Sequence, residues 1–183
     1  MNYLQKLADI NTFVFDVDGV LTNSNLIVLE NGALLRQMST RDGYAIRKAV
    51  DEGYRVVIIT GGKSSGVIKR LQGLGVEHIF SGVKDKKSLL ESYLKEQEVG
   101  LDTVLYMGDD LPDYQAMRLV GMPACPHDAC HEIVELSRYI SPYKGGEGCV
   151  RDVIEKVLRL HHNWLDDVQQ EDENKMKIQE DLQ

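Results

Sequence analysis

Three short runs, residues 13–15, 55–60 and 103–107, are apolar at nearly every position and show no polar alternation. Strands of that kind are buried on both faces, and they occur in parallel sheets covered by helices on either side. The intervals between them carry helical patterns. A helix capped by Asp42 is expected to run through Ala45, Ile46, Ala49 and Val50 to Gly53, and others over 64–74, 85–98, 111–120, 132–137 and 149–161. Shorter strand signals fall at 77–80, Met122–Cys125 and 138–141. This alternation predicts an α/β fold, a Rossmann-like doubly wound parallel sheet with helices on both faces. Residues 25–38 interrupt it, with Asn31-Gly32 between two short apolar runs, the sequence signature of a tight β-hairpin. Leu26, Ile27, Val28, Leu29, Leu34, Leu35 and Met38 cannot all face one core, so the hairpin is expected to present a second buried surface, a subunit contact.

One domain is expected over residues 1–164, followed by an acidic tail at 165–183 that reads as solvated. That tail holds seven acids against two lysines, a net −5 of the chain's −8. The body is therefore only weakly acidic, and no basic face suited to nucleic acid is evident. No apolar run approaches the ~20 residues of a membrane span and no signal-peptide core precedes the first strand, so a cytoplasmic protein is expected. Cys125, Cys130 and Cys149 are too few and too unevenly spaced for a disulfide framework.

The chemistry gathers at the ends of the strands. The first apolar run delivers Asp16 and Asp18 with Gly19 behind them, and alternation along a strand would start both carboxylates on one side. Two nearby carboxylates are pushed apart in proton affinity, which suits a nucleophile and a proton shuttle. Thr60-Gly61-Gly62 ends the second run, offering a hydroxyl and close-approaching N–H groups to phosphate oxygens. Lys86 stands at the first turn of a helix, where its charge and the helix dipole both favour an anion. Asp109, Asp110 and Asp113 follow the third long run, and three carboxylates in five residues call for a hard, oxygen-ligated cation such as Mg²⁺.

Asp16-Val17-Asp18-Gly19-Val20-Leu21-Thr22 together with Gly108-Asp109-Asp110-Leu111-Pro112-Asp113 resembles the haloacid dehalogenase (HAD) superfamily of Mg²⁺-dependent phosphatases, over residues 12 to about 160. The resemblance implies Asp16 as the nucleophile forming an aspartyl-phosphate, Asp18 as general acid and base, and Thr60, Gly61 and Lys86 as the phosphate-binding residues. It implies Mg²⁺ held by the Asp16 carboxylate, the Asp18 backbone carbonyl and Asp109, with Asp110 and Asp113 behind them. The intervals between these motifs leave no room for a separate cap domain. The chain thus resembles the capless branch, in which neighbouring subunits packed through the hairpin, as a homotetramer, supply the missing cover. Arg41-Asp42-Gly43-Tyr44 and Gly145-Gly146-Glu147-Gly148-Cys149-Val150-Arg151 extend the likeness. Arg41, Gly62 and Arg151 are the substrate-binding candidates, the two arginines as partners for a carboxylate or phosphate. Hydrolysis of an eight-carbon sugar ester, 3-deoxy-D-manno-octulosonate 8-phosphate, in lipopolysaccharide sugar synthesis is the implied activity. A nine-carbon sugar 9-phosphate, or a catalytically silent sugar-phosphate-binding subunit, is the alternative.

Overall fold

The computed structural model describes residues 3–165; residues 166–183, nearly all of the acidic tail, lie outside the described residues. In chain order the elements are α1 (Tyr3–Leu7), β1 (Thr12–Phe15), a tight turn (Val17–Leu21), β2 (Ile27–Val28), β3 (Leu34–Leu35), α2 (Thr40–Asp51), β4 (Arg55–Thr60), α3 (Ser65–Gly73) and β5 (His78–Ser81). They continue as α4 (Lys86–Glu96), β6 (Val104–Met107), α5 (Leu111–Met117), β7 (Met122–Cys125), α6 (His131–Leu136), β8 (Tyr139–Ile140) and α7 (Cys149–Leu160). Six strands form one parallel sheet in the order β5-β4-β1-β6-β7-β8, while β2 and β3 make a separate antiparallel pair. Among the described residues that hairpin is the chain's only excursion from the layered domain, and no cap domain is present.

Strand alternation distributes the apolar runs between two cores. Phe13, Phe15, Ile58, Leu105 and Met107 pack on one face with Ile46 and Ala49 of α2 and Val153, Ile154 and Val157 of α7. Val14, Val57, Ile59, Val104 and Tyr106 pack on the other with Leu90 and Leu94 of α4 and Met117 of α5. Each strand residue meets a covered face, which explains why β1, β4 and β6 carry no polar alternation. The chain winds from β1 outward through β4 to β5, then returns across β1 to β6 and outward again. The winding therefore reverses between β1 and β6, where open α/β sheets leave a crevice at the carboxyl ends of their strands.

Local ends differ from the sequence expectation in instructive ways. Ser39, not Asp42, caps α2, its hydroxyl accepting from the Asp42 N–H at 3.3 Å. Asp42 is instead buried inside the first turn, and its Oδ1 accepts the Arg151 N–H of α7 at 2.7 Å. Gly148, at the start of α7, has no side chain to cap that helix, so a carboxylate from α2 satisfies the orphan donor. Replacing Asp42 with Ala is expected to cost about 2 kcal/mol, a lost cap plus a stranded N–H, and Asp42→Asn, which keeps a carbonyl acceptor, should recover most of it. Urea unfolding of both variants measures this; equal losses for Ala and Asn would mean that the bond to α7 is not the source.

Candidate active site

The cleft at the switch point is built from the ends of β1, β4 and β6. Asp16 follows β1 directly. At Asp18 the chain has left the strand: its φ and ψ are −76° and 107°, and Gly19 follows at φ +100°. Both carboxylates line the same open cleft of about 450 Å³, along with Thr60, Lys86 and Asp109. The cause is this turn rather than strand alternation, because β1 ends at Phe15. Gly19 is required on two counts. A Cβ there would lie 1.9 Å from the Asp109 carboxylate, and its positive φ disfavours other residues.

Thr60 is buried at the end of β4, its Oγ1 accepting the Gly62 N–H at 3.1 Å and so tightening the turn that follows. Asp85 caps α4 by accepting from Ser88, which sets Lys86 at the first helical position with its side chain directed inward. The Lys86 ammonium lies 2.8 Å from Asp113 Oδ1 and 3.0 Å from Asp16 Oδ1, the second an ionic contact off the line of a hydrogen bond. Tyr106, from β6, also donates to Asp113 Oδ1 at 2.8 Å. Asp113 is thus oriented by two donors while its Oδ2 stays buried without a partner. Gly108 makes room for it, since a Cβ there would lie 2.4 Å from that of Asp113. Asp110, also at the edge of the cleft, is the N-cap of α5, accepting from the Leu111 N–H.

One carboxylate oxygen from each of Asp16, Asp109 and Asp113 falls within 4.8 Å of the others, the one such group among the described residues. Burial pushes the Asp16 carboxyl up, and Asp113 adds to the effect while Lys86 opposes it. Asp109 is raised from 3.8 to about 7 by burial, then by Asp16, Asp113 and Asp110. Three acids facing one ammonium, with buried lone pairs left over, fit a hard divalent cation with oxygen ligands.

A carboxyl whose folded pKa is raised contributes stability that is intact below its unfolded pKa and lost as pH rises through the folded one. The metal-free protein should therefore lose stability from this source between about pH 4 and pH 7. Thermal melts with EDTA or Mg²⁺ are expected to show a larger Mg²⁺ gain at pH 8 than at pH 5. A gain independent of pH would contradict the cluster's role.

The segment before α7 supports the same turn from behind. Gly146 N–H donates to Val20 O at 2.9 Å, the Cys149 thiol donates to the same oxygen at 3.2 Å, and a Cβ on Gly145 would lie 2.0 Å from Gly19 O. Gly145→Ala must displace backbone, and a loss of about 2–4 kcal/mol with weakened cation binding is expected, read by urea unfolding and Mg²⁺ titration. Wild-type values in both would show that the turn tolerates the displacement.

Arg41 and Arg151 are not in this cleft. They line a separate depression of about 480 Å³ beside α7. There the Arg151 guanidinium sits 5.2 Å from the Trp164 ring and 5.8 Å from that of Tyr44, and its Nε donates to Glu155 at 3.1 Å. Two residues unmarked in the sequence do reach the site: Tyr106, through Asp113, and Arg36, which follows β3 and donates through Nε and Nη2 to the two Asp18 oxygens at 2.6 and 3.0 Å. A tyrosine inside a fully buried strand needs a partner for its hydroxyl, and that was the available signal for Tyr106.

No family model matches the chain. The 3-deoxy-D-manno-octulosonate 8-phosphate phosphatase KdsC of Escherichia coli (strain K12) is 34% identical over 155 residues, 85% of this chain and 82% of the relative. The protein of the same name from Yersinia pestis is 32% identical over 155 residues, 85% of this chain and 83% of the relative. Among solved structures, the phosphatase of that type from Moraxella catarrhalis, in complex with a magnesium ion, a phosphate ion and KDO, is similar with a TM-score of 0.85 at 34% identity, covering 88% of this chain and 92% of that one. The cobalt-bound form from Haemophilus influenzae has a TM-score of 0.85 at 28% identity, covering 91% of this chain and 98% of that one.

Proposed function

The chain belongs to the 3-deoxy-D-manno-octulosonate 8-phosphate phosphatases of the haloacid dehalogenase superfamily, and from that premise we infer that it is a Mg²⁺-dependent phosphomonoesterase releasing KDO and phosphate from this eight-carbon ester. The observation that carries the reading is the meeting of Asp16, Asp109, Asp113 and Lys86 at the sheet's switch point, in a chain so similar to one solved with magnesium, phosphate and KDO.

On this reading the residues take the roles that the family resemblance implies, and the grouping of Asp16, Asp109, Asp113 and Lys86 supports them. Asp16, at the end of a strand and beside Lys86, attacks phosphorus and forms the aspartyl-phosphate. Asp18 gives a proton to the departing alkoxide, then takes one from the water that cleaves the acyl-phosphate bond and frees Asp16. Thr60, the Gly61 backbone and Lys86 bind the phosphoryl oxygens. Asp16 and Asp109, with the Asp18 carbonyl, would hold the cation, and Asp113 fixes Lys86. Mg²⁺ supplies charge neutralisation that lets an anionic nucleophile approach an anionic ester.

The hairpin completes the reading. Ile27 and Val28 are 62% and 68% exposed, beside half-exposed Leu34 and Leu35, and a face of that kind suits packing between copies in a homotetramer. No helix among the described residues is long and apolar enough to cross a membrane, which accords with a cytoplasmic enzyme.

The test is phosphate release, with Mg²⁺ and with EDTA, from the eight-carbon ester, nine-carbon 2-keto-3-deoxy sugar 9-phosphates and hexose phosphates. A Mg²⁺-dependent preference for the eight-carbon ester is expected. Slow, even rates on all would leave the chemistry and remove the substrate, and no release at all would point to a silent binder.

A further inference from the structure

We propose that Arg36, carried by the hairpin and not by the sheet, is the positioning residue for Asp18, and that Gly62 is glycine to admit it. The inference rests on the acid–base role given to Asp18 above.

The contact is a two-pronged one, Nε to Oδ1 at 2.6 Å and Nη2 to Oδ2 at 3.0 Å. Among the described residues no other donor reaches that carboxylate. The Arg36 side chain is 6% exposed and that of Asp18 32%, so the arginine is buried beside the cleft while Asp18 itself lines it. For an ion pair withdrawn this far from water, the cost of desolvation offsets much of the attraction, so the contact is weak evidence for stability. What a planar guanidinium fork does fix is the plane of the carboxylate it grips. Asp18 has need of such a grip, because it stands in a turn and not in a strand, where neighbouring chains would hold it.

Gly62 is part of the same arrangement. A Cβ built on it would lie 2.9 Å from Asp18 Oδ2 and 3.1 Å from Arg36 Nη2, inside the space that the pair fills. Each Asp18 oxygen keeps a second lone pair while accepting from Arg36, so the proton can still pass to the leaving oxygen and later return from water. Arg36 Nη1 is buried with no hydrogen-bond partner, which a purely structural arginine would be expected to satisfy.

The experiment compares two esters on the same Arg36→Met preparation: the sugar phosphate, whose alkoxide must be protonated as it leaves, and p-nitrophenyl phosphate, whose phenolate leaves without a proton. Misplacing a general acid costs on the order of 100-fold. Arg36→Met is expected to lower kcat about 100-fold on the sugar ester and about tenfold less severely on the aryl ester. Arg36→Lys, keeping the charge but not the fork, should fall between wild type and Met. A fraction of unfolded protein lowers both rates alike, so the ratio survives imperfect folding. Equal losses on the two esters, or none on either, would overturn the positioning role while the wild-type rates stand. A wild-type enzyme inactive on both would remove the underlying reading instead.

Discussion

Asp16→Asn is expected to lower phosphate release by at least about 10⁴-fold while leaving the fold intact. The amide oxygen has the shape of the carboxylate but no negative charge with which to attack phosphorus. Stability should move in the opposite direction to activity. Asp16 is a buried acid whose proton affinity is raised by burial and by Asp113, so at pH 8 in EDTA its charge strains the metal-free site. The Asn variant should then melt at or above the wild-type temperature under those conditions. Turnover above about one percent of wild type would refute Asp16 as nucleophile, and a collapse in melting temperature would mean that its pairing with Lys86 outweighs the repulsion.

The second large effect is expected at Lys86. Among the described residues its ammonium is the only cation paired with both Asp16 and Asp113, and it is almost wholly buried. Burial works against its charge, but the two carboxylates more than offset this and its pKa is raised. Lys86→Met removes one partner of a buried ionic group and strands the others, a change that costs about 3–5 kcal/mol. Activity should fall by about 10³-fold, since charge on the transferring phosphoryl group loses its fixed counter-charge. Urea unfolding at pH 5 and pH 8 separates the causes. The stability deficit should be smaller at pH 5, where the stranded acids take up protons, and a deficit equal at both values would assign it to lost packing.

The strand ends were readable from the chain because each apolar run stops abruptly at a residue that cannot belong to a core: Asp16 after Phe15, Gly108-Asp109 after Met107. The same runs mark β1, β4 and β6 as strands covered on both faces, while the order of strands across the sheet left no mark in them. Contacts between distant segments left no local mark. Asp42 has the composition of a helix cap, and its bond to α7 depends on where α7 lies. Arg36 follows a short hairpin strand that gave only an apolar pattern, and its partner stands on the turn after β1. Asp18 reaches the expected cleft by a different route: alternation assumes that the strand continues, and here it ends one residue before Asp16. Arg41 and Arg151 were chosen together and do lie together, but in the depression beside α7.

The strand order also sets a timetable for synthesis. β1 is made early, yet its two neighbours in the sheet are β4 and β6, and β6 ends only at Met107. Until that residue has left the ribosome, Phe13 to Phe15 have an open edge and Asp16 faces water without Asp109, Asp113 or Lys86 in their final places. Closing that long loop costs chain entropy, and this cost is met before any of the acidic site exists. A nascent chain cut before residue 107 carries the nucleophile on an apolar strand with one open edge, a form more disposed to aggregate than to react.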